Sequence, residues 1–304
     1  MDREELHKRI RKLLFSSSAL STSFARGEFR SVFRGRGLDF DSLREYSPDD
    51  DARLIDWNVS VRSRQPHVRA YREDRSLSLF LVIDRSASMD EGSGQLSKGE
   101  MALLSAALLG HAASLRDMPV GGLHFDKGTF GYRDPRRGRA HVLALVDQGL
   151  DQEAGQGSAR GLGQGEGPGG TGLAGALGTV ARLLKRRSLV IVLSDWRSPG
   201  WKLPLAILGR RHDVVAVRVS DGLERGLPTS GSLPLSDAES GKPTWMALGS
   251  RGFRRAWQGF WAKDKERIQE DFAECRVGHL DLDTGDDPAR SFLEFFDSRR
   301  KRFP

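Results

Sequence analysis

Residues 76–88 read SLSLFLVIDRSAS, and this stretch decides the fold class. Its first eight residues are nearly all apolar, which is typical of a strand that is buried on both faces of a parallel sheet. The apolar run ends at Asp84, and a loop rich in Ser and Gly follows it. The pattern therefore predicts an α/β domain in which a polar loop leaves the carboxyl end of a buried strand.

The rest of the chain repeats this alternation of strand and helix. Apolar residues recur at helical spacing over residues 96–115, and a short apolar strand follows at 120–125. We predict further helices at 171–185, 202–208, 251–274 and 288–297, and further strands at 188–194, 213–219 and 277–282. Such alternation indicates a central, mostly parallel sheet with helices on both faces.

Two segments interrupt the alternation, and we predict that they form one small accessory β module. Residues 26–75 are dense in Arg and Asp and contain short alternating patterns that are typical of half-buried strands. Residues 222–250 contain turn residues and strand-like pieces, and they are inserted into the α/β domain, which spans 76–304. Residues 1–25 are expected to form an amphipathic N-terminal helix and a linker.

The composition is that of a folded, soluble protein. The 304 residues are 38% hydrophobic and 29% charged, which does not fit a disordered chain. The longest apolar runs are far shorter than the roughly 20 residues that span a bilayer, so no membrane span is expected. Cys275 is the single cysteine, so no intrachain disulfide can form, and we expect a cytoplasmic protein.

The charge favours acidic partners but does not identify them. The formal net charge is +7 and the isoelectric point is about 9.8. Many of the Arg residues lie between 34 and 75, where Asp and Glu are also frequent. Mixed signs at this density favour an internal ion-pair network over a nucleic-acid track. Nucleic-acid binding is therefore an alternative that the sequence does not favour.

Three polar loops are expected to meet at one edge of the sheet, because open α/β sheets bind ligands at the carboxyl ends of their strands. Carboxylates and hydroxyls in these loops are hard oxygen donors that suit Mg²⁺, or another hard divalent ion such as Mn²⁺ or Ca²⁺. The predicted metal-binding residues are Asp84, Ser86, Ser88, Thr171 and Asp195. Asp195 would bind directly or through water, and a partner's acidic side chain could complete the six-oxygen shell.

The alternative for the first loop is structural. Asp84, Ser86 and Ser88 could form a turn that only caps the helix that follows. Asp90 and Glu91 could add carboxylates to the site, but we interpret them as a solvated loop edge.

The three loops resemble the metal-ion-dependent adhesion site (MIDAS) of von Willebrand factor A domains. The shared features are Asp-x-Ser-x-Ser after an apolar strand, Thr after a Gly-rich loop, and Asp after a second apolar strand. Adhesion-type domains often have Gly after that last Asp, whereas this chain has Trp196. We therefore expect a bulky aromatic side chain at the rim of the site.

Other motifs resemble the signature of the domain-of-unknown-function fifty-eight family. They are GRGLDF at 35–40, LREY at 43–46, IDW at 55–57 and SDAESG at 236–241. The resemblance covers roughly residues 30–300 and implies a Rossmann-like von Willebrand factor A domain. It also implies a chaperone-like adaptor that partners a MoxR-type AAA+ ATPase in maturing or remodelling other proteins.

The sequence carries no pattern for catalysis. The Gly-rich segment 165–170 matches G-x-G-x-x-G, but no strand precedes it and it contains Pro168, so a dinucleotide site is not predicted. Ser86 lacks a Gly-x-Ser-x-Gly elbow, and the histidines lack metal or triad spacing. We predict a non-enzymatic protein with no catalytic residue. A metal-independent scaffold that uses the Arg-rich module, or a basic nucleic-acid-associated protein, remains the alternative.

Overall fold

The computed structural model describes residues 8–9, 20–21, 38–47, 55–63, 65–73, 77–126, 130–150, 172–236, 243–248 and 250–302. The strands are β1 (Leu38–Glu45), β2 (His67–Glu73), β3 (Ser78–Asp84), β4 (Val120–Phe125), β5 (Phe130–Arg136), β6 (Ser188–Ser194), β7 (Asp213–Ser220), β8 (Ser232–Ser236), β9 (Pro243–Ala247) and β10 (Gly278–Asp283). The helices are α1 (Trp57–Ser63), α2 (Lys98–Ser114), α3 (Arg139–Leu150), α4 (Leu173–Leu183), α5 (Lys202–Arg211), α6 (Gly222–Arg225), α7 (Arg251–Glu274) and α8 (Pro288–Arg302).

A six-stranded sheet forms the centre of the fold, in the order β10-β7-β6-β3-β4-β5. All neighbouring strands are parallel except β4 and β5, which are antiparallel. The prediction of a mostly parallel α/β sheet is confirmed. The chain runs from β3 to β4 and β5 on one side, and then crosses to β6 on the other side of β3. The strand order therefore reverses between β3 and β6, and such a reversal opens a ligand-binding crevice at the carboxyl ends of the two strands.

Two hydrophobic cores hold the sheet, one on each face. Alternate residues of a strand point to opposite faces, and β3 divides its apolar residues between the two cores accordingly. Leu79, Leu81 and Ile83 pack with residues of α2, α3 and α8. Phe80 and Val82 pack with residues of α4, α5 and α7. The continuous apolar run of β3 is thus explained by burial on both sides, and the expected helices on both faces are present.

Two elements between residues 126 and 150 were not predicted. The edge strand β5 contains Gly131 and Pro135 among polar residues, so its sequence looks like a loop. Proline is tolerated at a sheet edge because no neighbouring strand needs its missing N–H. Helix α3 buries only four of its residues, which gives it a weak apolar pattern.

The segments assigned to the accessory module form two separate antiparallel pairs, β1 with β2 and β8 with β9. The first pair is not purely β-structure, because helix α1 lies between its strands. Asp56 caps α1 by accepting hydrogen bonds from the backbone N–H groups of Asn58 and Val59. That the two pairs form one module stays a prediction.

The N-terminal segment 1–25 lies mostly outside the described residues. Of its described residues, Leu20 is fully buried and packs in the core on the α2 face. Arg116 Nε donates to the carbonyl and hydroxyl oxygens of Ser21, 2.9 Å from each. Within the described ranges, every helix is too short or too polar to span a lipid bilayer.

Candidate functional site

Asp84 ends β3 at the point where the strand order reverses, and its side chain is fully buried. Its Oδ1 accepts a hydrogen bond from the backbone N–H of Ser86 at 2.9 Å. Its Oδ2 accepts a hydrogen bond from Ser194 Oγ, at the end of β6, at 2.5 Å. The carboxylate is therefore fixed both by its own loop and by the neighbouring strand.

Ser86 and Ser88 bring two hydroxyl groups together in the same loop. Their Oγ atoms lie 3.2 Å apart. Adjacent ligands of an octahedral Mg²⁺ ion, each about 2.1 Å from the metal, lie about 3 Å apart. The two hydroxyls therefore fit neighbouring positions of such a shell.

The capping alternative does not account for the hydroxyl of Ser86. A 3₁₀ turn covers Ala87–Asp90, and the side chain of Ser86 makes no capping hydrogen bond to it. The helix that follows, α2, is capped by Ser97, whose side chain forms a reciprocal capping box with Glu100. Ser86 is therefore available for another role.

Asp195 follows β6 directly, next to Asp84 across the reversal point. It is only 4% exposed. Its Oδ1 accepts a hydrogen bond from the backbone N–H of Arg197 at 3.2 Å. Ser194, the residue before it, joins the two loops, because its hydroxyl donates to Asp84 and accepts from the N–H of Trp196.

The electrostatics of the site favour a cation. The pKa of Asp84 is raised to about 6, because burial and the negative charge of Asp195 outweigh the hydrogen bonds from Ser194 and Ser86, which lower it. A cation next to Asp84 would favour the ionised carboxylate. Two buried carboxylates with converging hydroxyls thus fit a hard divalent ion in charge and in donor type.

The third predicted loop is described only in part, because Thr171 lies outside the described residues, as do residues 155–170. Gly172 begins α4 with a φ of +80°. A Cβ added to Gly172 would lie 3.8 Å from Ser198 Oγ. The residue after Thr171 is thus close to the loop that follows Asp195. The structure brings Asp84, Ser86, Ser88 and Asp195 to the same edge of the sheet.

Lys98 is a feature of the site that the sequence did not reveal. It is the first residue of α2, and it is fully buried. Its Nζ lies 3.0 Å from Glu91 Oε2, 3.5 Å from Asp195 Oδ2 and 3.5 Å from Glu224 Oε1. The available signal was its place in the first helical turn, where the helix dipole disfavours a positive charge.

The interpretation of Glu91 as a solvated loop edge is incomplete, because its carboxylate forms ion pairs. The residue is exposed, but its Oε2 also lies 3.3 Å from Arg197 Nη1, so the carboxylate links Lys98 to Arg197. Asp90 is exposed, in agreement with the prediction.

The prediction that the side chain of Trp196 lies at the rim of the site is wrong. Its side chain is fully buried in the core on the α4 face and is not at the rim of the site. The indole packs edge-on against Trp201 and Phe272, and its Nε1 donates to the carbonyl oxygen of Val217 at 3.0 Å. The φ of Trp196 is 60°, in the left-handed region that Gly adopts most easily. The backbone thus keeps a conformation suited to Gly, while the ring fills the core.

Clusters of imidazole, thiolate and carboxylate ligands do not occur in the part of the chain that the structure describes. No group of three or more His, Cys, Asp or Glu side chains there is placed to hold a metal ion. The candidate site is different in kind, since it combines two carboxylates with hydroxyl groups.

Comparison with known protein families assigns the chain. The family model described as "Protein of unknown function DUF58" matches residues 42–267. The chain belongs to the DUF58 family. This match includes both described loops of the candidate site, the strands β2, β8 and β9, and the second half of β1.

Mycobacterial proteins are similar to this DUF58 chain over most of its length. The uncharacterized proteins Mb1516 of Mycobacterium bovis and Rv1480 of Mycobacterium tuberculosis are each 29% identical over 276 residues. The alignments cover 90% of this chain and 84% of each relative. The uncharacterized protein MAV169 of Mycobacterium avium is 28% identical over 130 residues, which is 42% of this chain and 76% of that protein.

Two solved structures show a weaker similarity to the DUF58 chain. One is the conserved hypothetical protein BatB from Bacteroides thetaiotaomicron, with a TM-score of 0.45, 15% identity, and coverage of 74% of this chain and 100% of that one. The other is an aerotolerance-related membrane protein from Bacteroides fragilis, with a TM-score of 0.41, 15% identity, and coverage of 75% and 100%.

Proposed function

We propose that this DUF58 protein is a non-enzymatic adaptor that binds partner proteins through a divalent metal ion at a site of the von Willebrand factor A type. The observation that carries the proposal is the meeting of Asp84 and Asp195 at the reversal point of the sheet, beside two hydroxyls 3.2 Å apart. A cation at this position would stabilise the ionised carboxylate of Asp84, which is buried and held by hydroxyl and amide donors.

Each residue has a distinct role in the proposed site. Ser86 and Ser88 donate hydroxyl oxygens to the ion, and Thr171 adds a third hydroxyl. Asp84 and Asp195 supply negative charge, directly or through water. Ser194 is a positioning residue, because its hydrogen bond fixes the rotamer of Asp84. Mg²⁺, when bound, supplies a positively charged docking point for an acidic side chain of a partner or client.

The surroundings of Ser86 favour binding over covalent catalysis. A nucleophilic hydroxyl needs a general base within hydrogen-bonding distance. The hydroxyl of Ser86 contacts the hydroxyl of Ser88 and also hydrogen-bonds to Asp84, whose carboxylate is already held by Ser194 and by the backbone N–H of Ser86. Open coordination positions at the ion are all that adhesion to a carboxylate requires.

The proposed partner is a MoxR-type AAA+ ATPase, which the adaptor would assist in maturing or remodelling client proteins. This part rests on the resemblance of the motifs at 35–57 and 236–241 and of the Asp-x-Ser-x-Ser loop. The chain's net charge of +7 is compatible with an acidic partner.

A metal-independent scaffold is the second candidate, and one contact favours it. Lys98 Nζ lies 3.5 Å from Asp195 Oδ2, which gives Asp195 a positive partner without any metal ion. The two candidates differ in what chelation does to partner binding.

Affinity capture with the full chain as bait separates them. We expect an AAA+ ATPase to be recovered in Mg²⁺, and to be lost on adding EDTA or on introducing Asp84→Asn or Asp195→Ala. Asp117→Asn is a suitable control, because Asp117 is exposed and pairs only with exposed Arg137 among its recorded ion pairs. Capture that survives both EDTA and Asp84→Asn would support the scaffold and reject the metal-dependent mechanism.

A further inference from the structure

Lys98 occupies an unusual position for a lysine. Its ammonium is fully buried in the first turn of α2, although lysine is rarely buried and the helix dipole repels a cation there. Three carboxylates from different parts of the chain surround it. They are Glu91 from the loop after β3, Asp195 from the loop after β6, and Glu224 from α6. The charge of Lys98 is therefore held in place by the candidate site and its neighbours.

The same carboxylates have other basic partners. Glu91 contacts Arg197 at 3.3 Å, and Glu224 contacts Arg218 at 3.1 Å. Lys98 is thus the basic side chain that contacts all three carboxylates, and it is the recorded ion-pair partner of Asp195 among the described residues. Asp84, by contrast, is held by hydroxyl and amide donors.

A divalent ion and Lys98 would compete for Asp195. An ion bound directly to Asp195 would lie roughly 5 to 8 Å from the ammonium, given a metal–oxygen distance of about 2.1 Å. Like charges at that distance repel appreciably when both are shielded from water. The ammonium therefore lowers the affinity of the site for a second cation.

We propose that Lys98 is a built-in counter-cation that keeps the free chain's affinity for divalent ions low, so that the ion is retained together with a partner's carboxylate. This inference rests on the proposed metal-dependent function. The partner's carboxylate supplies the negative charge that Lys98 takes from Asp195. Thermodynamic linkage then requires the ion to strengthen partner binding by the same factor as the partner strengthens ion binding. By lowering the affinity of the free chain for the ion, Lys98 makes retention of the ion depend on the partner.

Binding of Mn²⁺ alone to the purified full chain tests the inference, followed by electron paramagnetic resonance or calorimetry. We expect Lys98→Met to bind Mn²⁺ about tenfold more tightly or better than the wild type, because the competing charge is gone. Lys98→Arg keeps the charge and is the matched control, with wild-type affinity expected. Adding Asp84→Asn to Lys98→Met should abolish the gain.

Three results would overturn the inference. One is unchanged or weaker Mn²⁺ binding in Lys98→Met. Another is an equal gain in Lys98→Arg. The third is a gain that persists with Asp84→Asn, because the ion would then occupy the space left by the lysine.

Loss of the buried charge could prevent folding of Lys98→Met. The double variant Lys98→Met/Glu224→Gln removes one of the carboxylates that would lack a cation, and it should bind Mn²⁺ about tenfold more tightly than Glu224→Gln alone. Failure of the inference is distinct from failure of the proposed function. EDTA-resistant capture of the partner rejects the function, whereas EDTA-sensitive capture with no gain in Lys98→Met rejects only the role of Lys98.

Discussion

His124, in β4, makes the stability of the fold depend on pH. It pairs with Ile83 of β3, beside the candidate site. The imidazole is buried, and its Nε2 contacts the carbonyl oxygen of Leu145 at 2.8 Å. The pKa of His124 is lowered to about 4, because burial and the charges of Arg85 and Arg133 outweigh the hydrogen bond to Leu145, which raises it. The folded protein therefore holds His124 neutral at pH values where the unfolded chain protonates it.

The sign and size of the effect follow from proton linkage. Between pH 6.5 and about 4 the unfolded chain binds one more proton at this position, so the free energy of unfolding falls as the pH falls. At about 1.4 kcal/mol for each pKa unit, the full loss from His124 is about 3 kcal/mol below pH 4, and roughly 2 kcal/mol at pH 5. Such a loss is a sizeable part of the 5 to 15 kcal/mol that is typical of folded proteins.

Urea denaturation at pH 7.5 and pH 5 measures this loss. His124→Gln should flatten the dependence, because Gln can still donate to Leu145 but does not ionise in this range. His279→Gln is a matched control at an exposed histidine. Comparing the variants at both pH values cancels contributions from other titrating groups. Equal losses of stability in the wild type and His124→Gln would refute the reasoning.

Four other substitutions test the site and the core. Ser194→Ala removes the hydrogen bond to Asp84, and a hydrogen bond to a charged acceptor contributes about 1.5 to 3 kcal/mol. Capture of the partner in Mg²⁺ should therefore weaken at least about tenfold, while the circular dichroism spectrum stays unchanged. Trp196→Ala should destabilise the protein by about 3 to 5 kcal/mol in urea denaturation, because it empties a fully buried site. Gly149→Ala should lower the free energy of unfolding by about 1 to 3 kcal/mol, because its Cβ would lie 2.5 Å from Leu103 Cδ2. Gly178 lies on α4 with open space around it, so Gly178→Ala should raise the thermal midpoint. Equal effects of the two Gly substitutions would contradict this account of packing.

The central strands could be predicted because they are buried on both faces. The strands predicted at residues 120–125 and 188–194 have the observed bounds of β4 and β6. These apolar runs are too short for a typical helix and have no polar face for solvent, so a strand buried on both faces is the structure that they favour. The edge strand β5 could not be found in this way, because its pattern is that of a solvent-exposed segment.

The candidate ligands could be predicted because strand ends are ordered by topology. Asp84 and Asp195 follow two apolar strands, and parallel neighbours place such residues at one edge. The sequence does not predict which strands are neighbours, and the structure supplies the pairing of β3 with β6.

The side chains around the ligands were beyond sequence reasoning. A lysine at the start of a helix usually reaches into solvent, and only the fold shows that Lys98 points inward to three carboxylates. Trp196 was misplaced because a sequence does not reveal the left-handed backbone that turns its ring into the core.

The reversal of strand order between β3 and β6 has a consequence for biosynthesis. The hydrogen bond from Ser194 to Asp84 joins residues 110 positions apart, and β4, β5, α2 and α3 are all made between them. A ribosome must therefore release most of the central sheet before the two carboxylates can meet. Contacts of such long range form late and slowly. If the proposed metal-dependent function holds, a growing chain gains the ability to bind a partner only after β6 has been synthesised and has paired with β3.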